Sequence, residues 1–183
     1  MPIMKQTVSL IPAPTVIQPG GYVPAAYADR GTPRTAQAEV AVEAAGKGWK
    51  ITLSWACPKP VDDIANETDK FIDACAILAP TAADAPWMTM GAPGQAVEGY
   101  LWRPDRQEPW QIHAEGLGSV RRGAAAGAKA QGAWSQGRWE IVFELPEWAA
   151  LERHRQVALA VWRGSDQERA GLKSVSPGWL SLD

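Results

Sequence analysis

Two methionines near the middle of the chain, Met88 and Met90, are the first residues whose type and spacing could serve a chemical role. Only two other methionines occur in the sequence, both within the first four residues. In an extended segment, residues two positions apart face the same side, so both thioethers would line one surface. Gly91 follows them and would let the backbone approach a flat ligand closely. The alternative is that both methionines fill the core, and Lys173 is by default an exposed lysine.

Histidine, the usual general base and metal ligand, occurs only twice. His113 could be a metal or haem ligand, or a hydrogen-bonded histidine of a strand or loop. His154 lies between two arginines at the end of a predicted helix, where we expect it on the surface. Neither histidine lies in a recognisable nucleophile motif, and the chain has no CxxCH sequence for covalent haem attachment. The sequence therefore predicts no catalytic site.

Acidic residues and cysteines add no recognisable metal motif. Five acidic residues between positions 62 and 73 (Asp62, Asp63, Glu67, Asp69 and Asp73) do not have the spacing of an EF-hand loop, and we interpret them as a solvated loop. Cys57 and Cys75 lack the CxxC spacing of a redox or zinc motif. They form either one disulfide or two separate buried thiols, and the sequence leaves both possibilities open.

Composition limits the classes of protein that the chain can represent. Its 183 residues suffice for one domain with a sizeable core, and 18 basic against 20 acidic residues give a net charge of −2. This balance argues against nucleic-acid binding, which needs a concentrated basic surface. No apolar run is long enough for a membrane helix, and the N-terminus lacks the pattern of a secretory signal.

The elements that must position these residues are predicted to be short strands. The sequence contains 17 glycines and 15 prolines, which favours strands joined by turns. Apolar residues alternate along 49–55 and 139–145, as expected for strands with one buried face. Further strands are predicted at 39–43, 71–78, 96–103, 138–145, 156–163 and 175–182. We therefore predict an all-β fold, an antiparallel β-sandwich with one or two short helices.

The remaining segments complete the predicted organisation. Residues 1–37 carry six prolines and are interpreted as an extended N-terminal arm, and residues 38–183 as the sandwich domain. A short helix is predicted to begin at Pro146 and to end near His154. The segment 123–132 is rich in glycine and alanine and is predicted to be a mobile loop.

Three blocks of sequence, in this order, resemble one family: the haem b-binding γ subunits of ethylbenzene dehydrogenase, dimethylsulfide dehydrogenase, selenate reductase and chlorate reductase. The first block is Asp62-Asp63 with the segment 71–78. The second is Met90-Gly91 followed by 97–103. The third is 157–164 leading into 173–176. The resemblance covers roughly residues 37–182, and the ordered set is more specific than any one block.

The resemblance implies a β-sandwich that holds a single haem b non-covalently, with a methionine and a lysine as the axial ligands of the iron. Carried over to this sequence, the ligands are Met90 and Lys173, with Met88 and His113 as alternatives. A thioether is a soft, neutral ligand, and a lysine ligates only through its uncharged amine, which must first lose a proton. With both axial positions filled, the iron would suit electron transfer.

The resemblance also implies a role and partners. The chain would be a non-catalytic electron-transfer subunit of a molybdenum oxidoreductase, beside a molybdopterin-containing α subunit and an iron–sulfur β subunit. A soluble c-type cytochrome would be the external redox partner, and the complex would act in the periplasm. Two other functions stay open at this point: a carbohydrate-binding sandwich that uses some of the ten tryptophans, and a haem b carrier that acts alone.

Overall fold

The chain folds into a β-sandwich of two antiparallel sheets, as predicted. The computed structural model describes residues 1–14, 31–65 and 68–183. Glu67 of the acidic stretch and residues 15–30 of the predicted arm lie outside the described residues. The elements in chain order are β1 (Met4–Ser9), β2 (Ile11–Pro12), β3 (Gln37–Ala45), β4 (Gly48–Ala56), β5 (Ala74–Pro80), β6 (Val97–Trp102), β7 (Trp110–Ala114), β8 (Arg121–Gly123), β9 (Lys129–Ser135), β10 (Arg138–Leu145), α1 (Ala149–His154), β11 (Gln156–Trp162), β12 (Ser174–Val175) and β13 (Leu180–Ser181).

The first sheet contains five strands in the order β1-β3-β4-β10-β9. Its centre is the pairing of β4 with β10, in which Trp55 lies opposite Trp139 and Leu53 opposite Ile141. Alternate residues of these strands are buried, because successive side chains of a strand point to opposite faces. The alternation predicted for 49–55 and 139–145 is therefore confirmed.

The second sheet has the order β2-β12-β11-β5-β6-β7-β8, and β13 pairs with the beginning of β11. Its central strands β5 and β11 are buried on both faces. One face packs against the first sheet and contributes Cys75, Ile77, Leu159 and Val161 to the main hydrophobic core. The opposite face carries a second apolar cluster, which is covered by loops instead of a third sheet. Met90 belongs to that cluster, and Met88 packs against it.

Four local predictions were wrong. The strand predicted at 71–78 begins only at Ala74 and continues to Pro80. The segment 123–132 is not entirely a loop, because Lys129–Gly132 form the first half of β9 and pair with β10. Gly132 is needed there, since a Cβ would collide with the ring of Trp102. The helix begins at Ala149 instead of Pro146, because Trp148 still has an extended backbone. The segment 175–182 is two short strands separated by a bend at Pro177-Gly178.

The predicted arm provides strands to both sheets. β1 pairs with β3 along the edge of the first sheet, and β2 pairs with β12 at the edge of the second. The division between arm and domain at residue 37 stays a prediction. In the part of the chain that is described, no helix has the length and apolar character required to cross a membrane.

Candidate functional site

The candidate site lies on the outer face of the second sheet. Small side chains line the middle of this face: Ala76 of β5 lies opposite Ala160 of β11, and Ala158 and Ala74 flank this pair along the two strands. We call these four residues the alanine floor. Because alanine side chains are short, the floor leaves room above it for long side chains from the covering loops. Two loops supply them, one before β6 and one before β12.

Met90 reaches the outer face from a tight loop with an unusual backbone. Its φ angle is 57°, a left-handed conformation that non-glycine residues rarely adopt. The backbone N–H of Met90 donates to the carbonyl of Trp87 at 2.9 Å, and its carbonyl accepts from the N–H of Gly116 at 2.9 Å. These bonds hold the strained residue in place, and its side chain is buried in the outer-face cluster. Strain of this kind occurs preferentially at functional sites.

Position 91 has to be glycine because neighbouring backbone atoms leave no room for a side chain. Its φ is 84°, and a Cβ would lie 2.6 Å from the carbonyl oxygen of Gln95 and 3.0 Å from that of Ala114. The close approach that its missing side chain allows is therefore to β7 and to the turn before β6. This differs from the expected approach to a flat ligand.

Lys173 enters the same cluster from the residue before β12. Its carbonyl accepts from the N–H of Ala13 at 3.0 Å, so the N-terminal segment holds its backbone in place. The side chain is only 9% exposed, and Nζ lies 4.0 Å from Sδ of Met90. The ammonium also lies 5.1 Å from the ring centroid of Trp162. Burial lowers the pKa of Lys173 from its ordinary 10.5 to about 8.

Met88 lies at the same place, but His113 does not. Met88 is half-buried and, with Met90 and Lys173, borders a small cavity of about 10 Å³, room for about one water molecule. His113 is in β7, where its neighbours Ile112 and Ala114 face the outer cluster, so its side chain points to the other face. Its Nε2 lies 3.4 Å from a carboxylate oxygen of Glu115.

The other sequence candidates serve the fold. His154 is half-buried at the end of α1, with Nε2 3.2 Å from the carbonyl of Thr81. Cys57 and Cys75 are separate, buried thiols, and burial raises the pKa of both, that of Cys57 to about 12. Asp73, expected in a solvated loop, is buried instead. Among the described residues, no group of three or more His, Cys, Asp and Glu side chains could hold a metal ion.

Tryptophans hold the two covering loops together, and the sequence analysis did not identify this role. The indole N–H of Trp87 donates to the carbonyl of Ser176 at 2.8 Å, and that of Trp179 donates to the carbonyl of Ala85 at 2.8 Å. The two rings pack with centroids 5.5 Å apart. These contacts fix the methionine loop against the lysine segment. The proximity of Trp87 to Met88 and Met90 in the sequence was the available signal.

Comparison with known proteins finds three relatives and no matching family model. ORF7 of Haloferax mediterranei, assigned as a respiratory nitrate reductase heme subunit, is 34% identical over 135 residues, which is 69% of this chain and 48% of the relative. Chlorate reductase subunit gamma of Ideonella dechloratans is 29% identical over 153 residues, 78% of this chain and 62% of the relative. Dimethylsulfide dehydrogenase subunit gamma of Rhodovulum sulfidophilum is 28% identical over 145 residues, which is 71% of this chain and 54% of the relative.

These relatives confirm the resemblance on which the sequence analysis relied. The similarity extends over more than two thirds of this chain, so it includes most of the sandwich. The chain itself spans only about half to three fifths of the length of the relatives it matches.

Proposed function

We propose that this chain, a homologue of the γ and haem subunits of molybdenum oxidoreductases, is a haem-binding electron-transfer subunit and not itself an enzyme. It would hold one b-type haem non-covalently, with Met90 and Lys173 as the two axial ligands. The observation that carries the proposal is the placement of these two side chains. They are 83 positions apart in the sequence, and yet Sδ and Nζ lie 4.0 Å apart in a buried apolar cluster.

The separation of the two atoms suits a metal between them. In zinc sites, metal–sulfur and metal–nitrogen bonds are about 2.3 and 2.0 Å long, so two ligand atoms on opposite sides of a metal would lie about 4.3 Å apart. Sδ of Met90 and Nζ of Lys173, which are 4.0 Å apart, would therefore have to separate only slightly to hold a metal between them. A thioether and an amine are both neutral donors when they ligate, so the pair adds no charge to an apolar site. The donor set fits haem iron.

Burial prepares the lysine for this role. An ammonium cannot ligate a metal, so binding requires the loss of its proton. Because desolvation has already lowered the pKa of Lys173 to about 8, the proton is lost more easily than from an exposed lysine. The proton has to leave Nζ when the ligand bond forms. Haem binding should therefore strengthen as the pH rises toward 8.

The macrocycle would need more room than the cavity of about 10 Å³ beside the pair. Met88, Trp87 and the N-terminal segment at Ala13-Pro14 border this cavity, so they would have to move apart when the cofactor enters. The alanine floor beneath them offers a flat apolar surface. We expect the apoprotein to be more closed than the loaded protein.

Bound haem would supply one-electron redox chemistry. The chain contributes the environment: the outer-face cluster excludes water, and the two ligands would occupy both axial positions. This arrangement favours electron transfer over oxygen or substrate chemistry. A non-catalytic role follows from this arrangement.

The wider assembly belongs to the same proposal. The relatives named as gamma subunits of chlorate reductase and dimethylsulfide dehydrogenase support a place in a multi-subunit oxidoreductase. We expect the chain to associate with an iron–sulfur β subunit and a molybdopterin-containing α subunit, and to exchange electrons with a soluble c-type cytochrome in the periplasm. Affinity purification from the source cells, followed by identification of the subunits that co-purify, tests this assembly.

Neither alternative has comparable support. A carbohydrate-binding surface would need exposed tryptophans, but most of the ten are buried, in the core (Trp49, Trp55, Trp102, Trp139 and Trp148) or beneath the covering loops (Trp87). A solitary haem carrier finds no counterpart in relatives that are named as subunits.

The experiment that tests the haem site is reconstitution of the purified protein with haem, followed by absorption spectroscopy. We expect a six-coordinate, low-spin spectrum that is lost in Met90→Ala and in Lys173→Ala. Met88→Ala and His113→Ala are the matched controls and should keep it. A wild-type protein that binds no haem contradicts the function, and a spectrum lost in Met88→Ala but kept in Met90→Ala contradicts the choice of ligand.

A further inference from the structure

A second cavity, of about 190 Å³, lies on the same outer face and is lined by arginines. Three guanidinium groups border it, those of Arg103, Arg122 and Arg169. Most other lining side chains are apolar, among them Phe71, Leu101 and Trp162, and one carboxylate, that of Glu168, also borders the cavity. The cavity thus combines apolar walls with an excess of positive charge. Such walls suit a ligand that has an apolar body and acidic groups.

This arginine cavity adjoins the methionine–lysine site. Trp162 borders the cavity, and its ring lies 5.1 Å from Nζ of Lys173. The alanine floor begins at the cavity with Ala74, which lies opposite Trp162 in the sheet. The floor then continues along β5 and β11, away from the cavity. A molecule bound between Met90 and Lys173 would therefore lie next to the arginine cavity.

The arginines are held together by an aromatic ring. The guanidinium carbons of Arg106, Arg122 and Arg103 lie 3.8, 4.7 and 5.6 Å from the ring centroid of Trp110. Arg103 also pairs with Asp105 at 2.6 Å. Burial, together with the charges of Arg103 and Arg106, lowers the pKa of Arg122. Positive charge is therefore concentrated here, and Asp105, which accepts from both Nε and Nη2 of Arg103, and Glu168 balance only part of it.

From this placement we propose that Arg122 and Arg103 bind the carboxylate side chains of the haem whose iron lies between Met90 and Lys173. The inference rests on the proposed function, and it adds the orientation of the cofactor: its acidic edge faces β6 and β8. A planar guanidinium and a carboxylate form strong, charge-assisted hydrogen bonds. The ring of Trp110 restricts the arginines, so little side-chain entropy is lost when they bind.

The test compares haem with its dimethyl ester, in which both carboxylates are blocked. Apoprotein is titrated with each porphyrin in the same co-solvent, and the dissociation constant is read from the Soret band. We expect wild-type protein to bind the ester about tenfold more weakly than haem, the loss of roughly one charge-assisted hydrogen bond. Arg122→Gln should weaken haem binding by about tenfold while leaving the affinity for the ester unchanged.

The chain offers a matched control beside Arg122. Arg121 is the preceding residue of β8 and is also exposed, but it lies opposite His113, whereas Arg122 lies opposite Ile112. Its side chain therefore points to the other face of the sheet. Arg121→Gln removes the same charge and should leave both dissociation constants unchanged. A change as large as that in Arg122→Gln would overturn the inference.

The remaining outcomes separate this inference from the proposed function. If wild-type protein binds haem and its ester equally well with a low-spin spectrum, the carboxylate site is wrong and the axial ligands stand. If Arg122→Gln weakens both porphyrins equally, the arginine acts on the fold or on a docked acidic partner, and the inference is again overturned. If wild-type protein gives no low-spin spectrum with either porphyrin, the proposed function fails and the carboxylate site with it.

Discussion

The two faces of the second sheet are both apolar, yet the buried polar groups on them have different surroundings. On the inner side, near the edge of the core, the carboxylate of Asp73 accepts from the N–H groups of Val61 and Gly164, both at 2.8 Å, and from the indole of Trp139 at 2.9 Å. On the outer side, the amine of Lys173 lies 4.0 Å from a thioether, and burial lowers its pKa.

The difference agrees with the proposed function, in which the inner face maintains the fold and the outer face would hold the cofactor. The hydrogen bonds to the buried Asp73 carboxylate stabilise the fold, because they offset the cost of removing the charge from water. Burial lowers the pKa of the Lys173 amine, and the neighbouring Met90 has a left-handed backbone, so we expect both residues to cost stability in the apoprotein. Such a cost is retained where a group has a further role. Three changes test the contrast.

The largest expected effect is on the inner side. Asp73→Ala leaves three buried N–H donors without their acceptor, and each such loss costs about 1–3 kcal/mol. We expect the free energy of unfolding, measured by urea denaturation, to fall by about 4 kcal/mol. Asp63→Ala, in the same acidic stretch but exposed, is the control and should cost less than about 1 kcal/mol. Equal losses in the two variants would contradict the structural role of Asp73.

On the outer side, removing the buried polar group should raise the free energy of unfolding instead of lowering it. Lys173→Met keeps a long side chain and removes the buried charge. Because the pKa of Lys173 is lowered from 10.5 to about 8, we expect the apoprotein at pH 7 to gain about 3 kcal/mol in the free energy of unfolding. Because a methionine at position 173 can itself ligate haem iron, the loss of the low-spin spectrum is tested with Lys173→Ala instead. Lys129→Met, at an exposed position, should change neither quantity, and a destabilised Lys173→Met apoprotein would contradict the contrast.

The stabilisation by Lys173→Met should also depend on pH. Above about pH 8 the native lysine has lost its proton, whereas the unfolded chain keeps it up to about pH 10.5. The unfolded state then binds more protons, so the stability contribution of Lys173 rises with pH over this window. The advantage of Lys173→Met over wild type should therefore shrink from pH 8 toward pH 10.5. The titrations of Cys57 and Tyr100 cancel in this difference, and a gap independent of pH would contradict the buried-charge explanation.

The long strands of the first sheet could be predicted from the sequence because their apolar residues recur at every second position. Alternation along 49–55 and 139–145 identified two strands, since each of them has one buried face. Strands β2 and β12 contain two residues each, too few to show a period, and their pairing depends on contacts distant in the chain. The start of β9 looked like a loop because Gly132 and its small neighbours resemble linker composition, whereas Gly132 is required there because a side chain would collide with the ring of Trp102.

The site was predictable only in part. Met88 and Met90 stand out by type and spacing, but nothing local distinguishes Lys173 from an exposed lysine. Its burial arises from the pairing of β12 with β2 and β11, which no short stretch of sequence encodes. The link between Met90 and Lys173 came from the family resemblance. Trp110 belongs to β7, whereas the arginines around it come from β8 and from the segment after β6, so only the folded sheet brings them together.

The most direct test of the central claim is the proton resonance of an axial methionine methyl group in the reduced, haem-loaded protein. The ring current of a porphyrin shifts such a methyl group far upfield of all other signals. With methyl-labelled methionine, we expect one strongly shifted resonance, which persists in Met88→Leu and disappears in Met90→Leu. A shifted resonance that survives in Met90→Leu, or a haem-loaded protein without one, would contradict iron ligation by Met90.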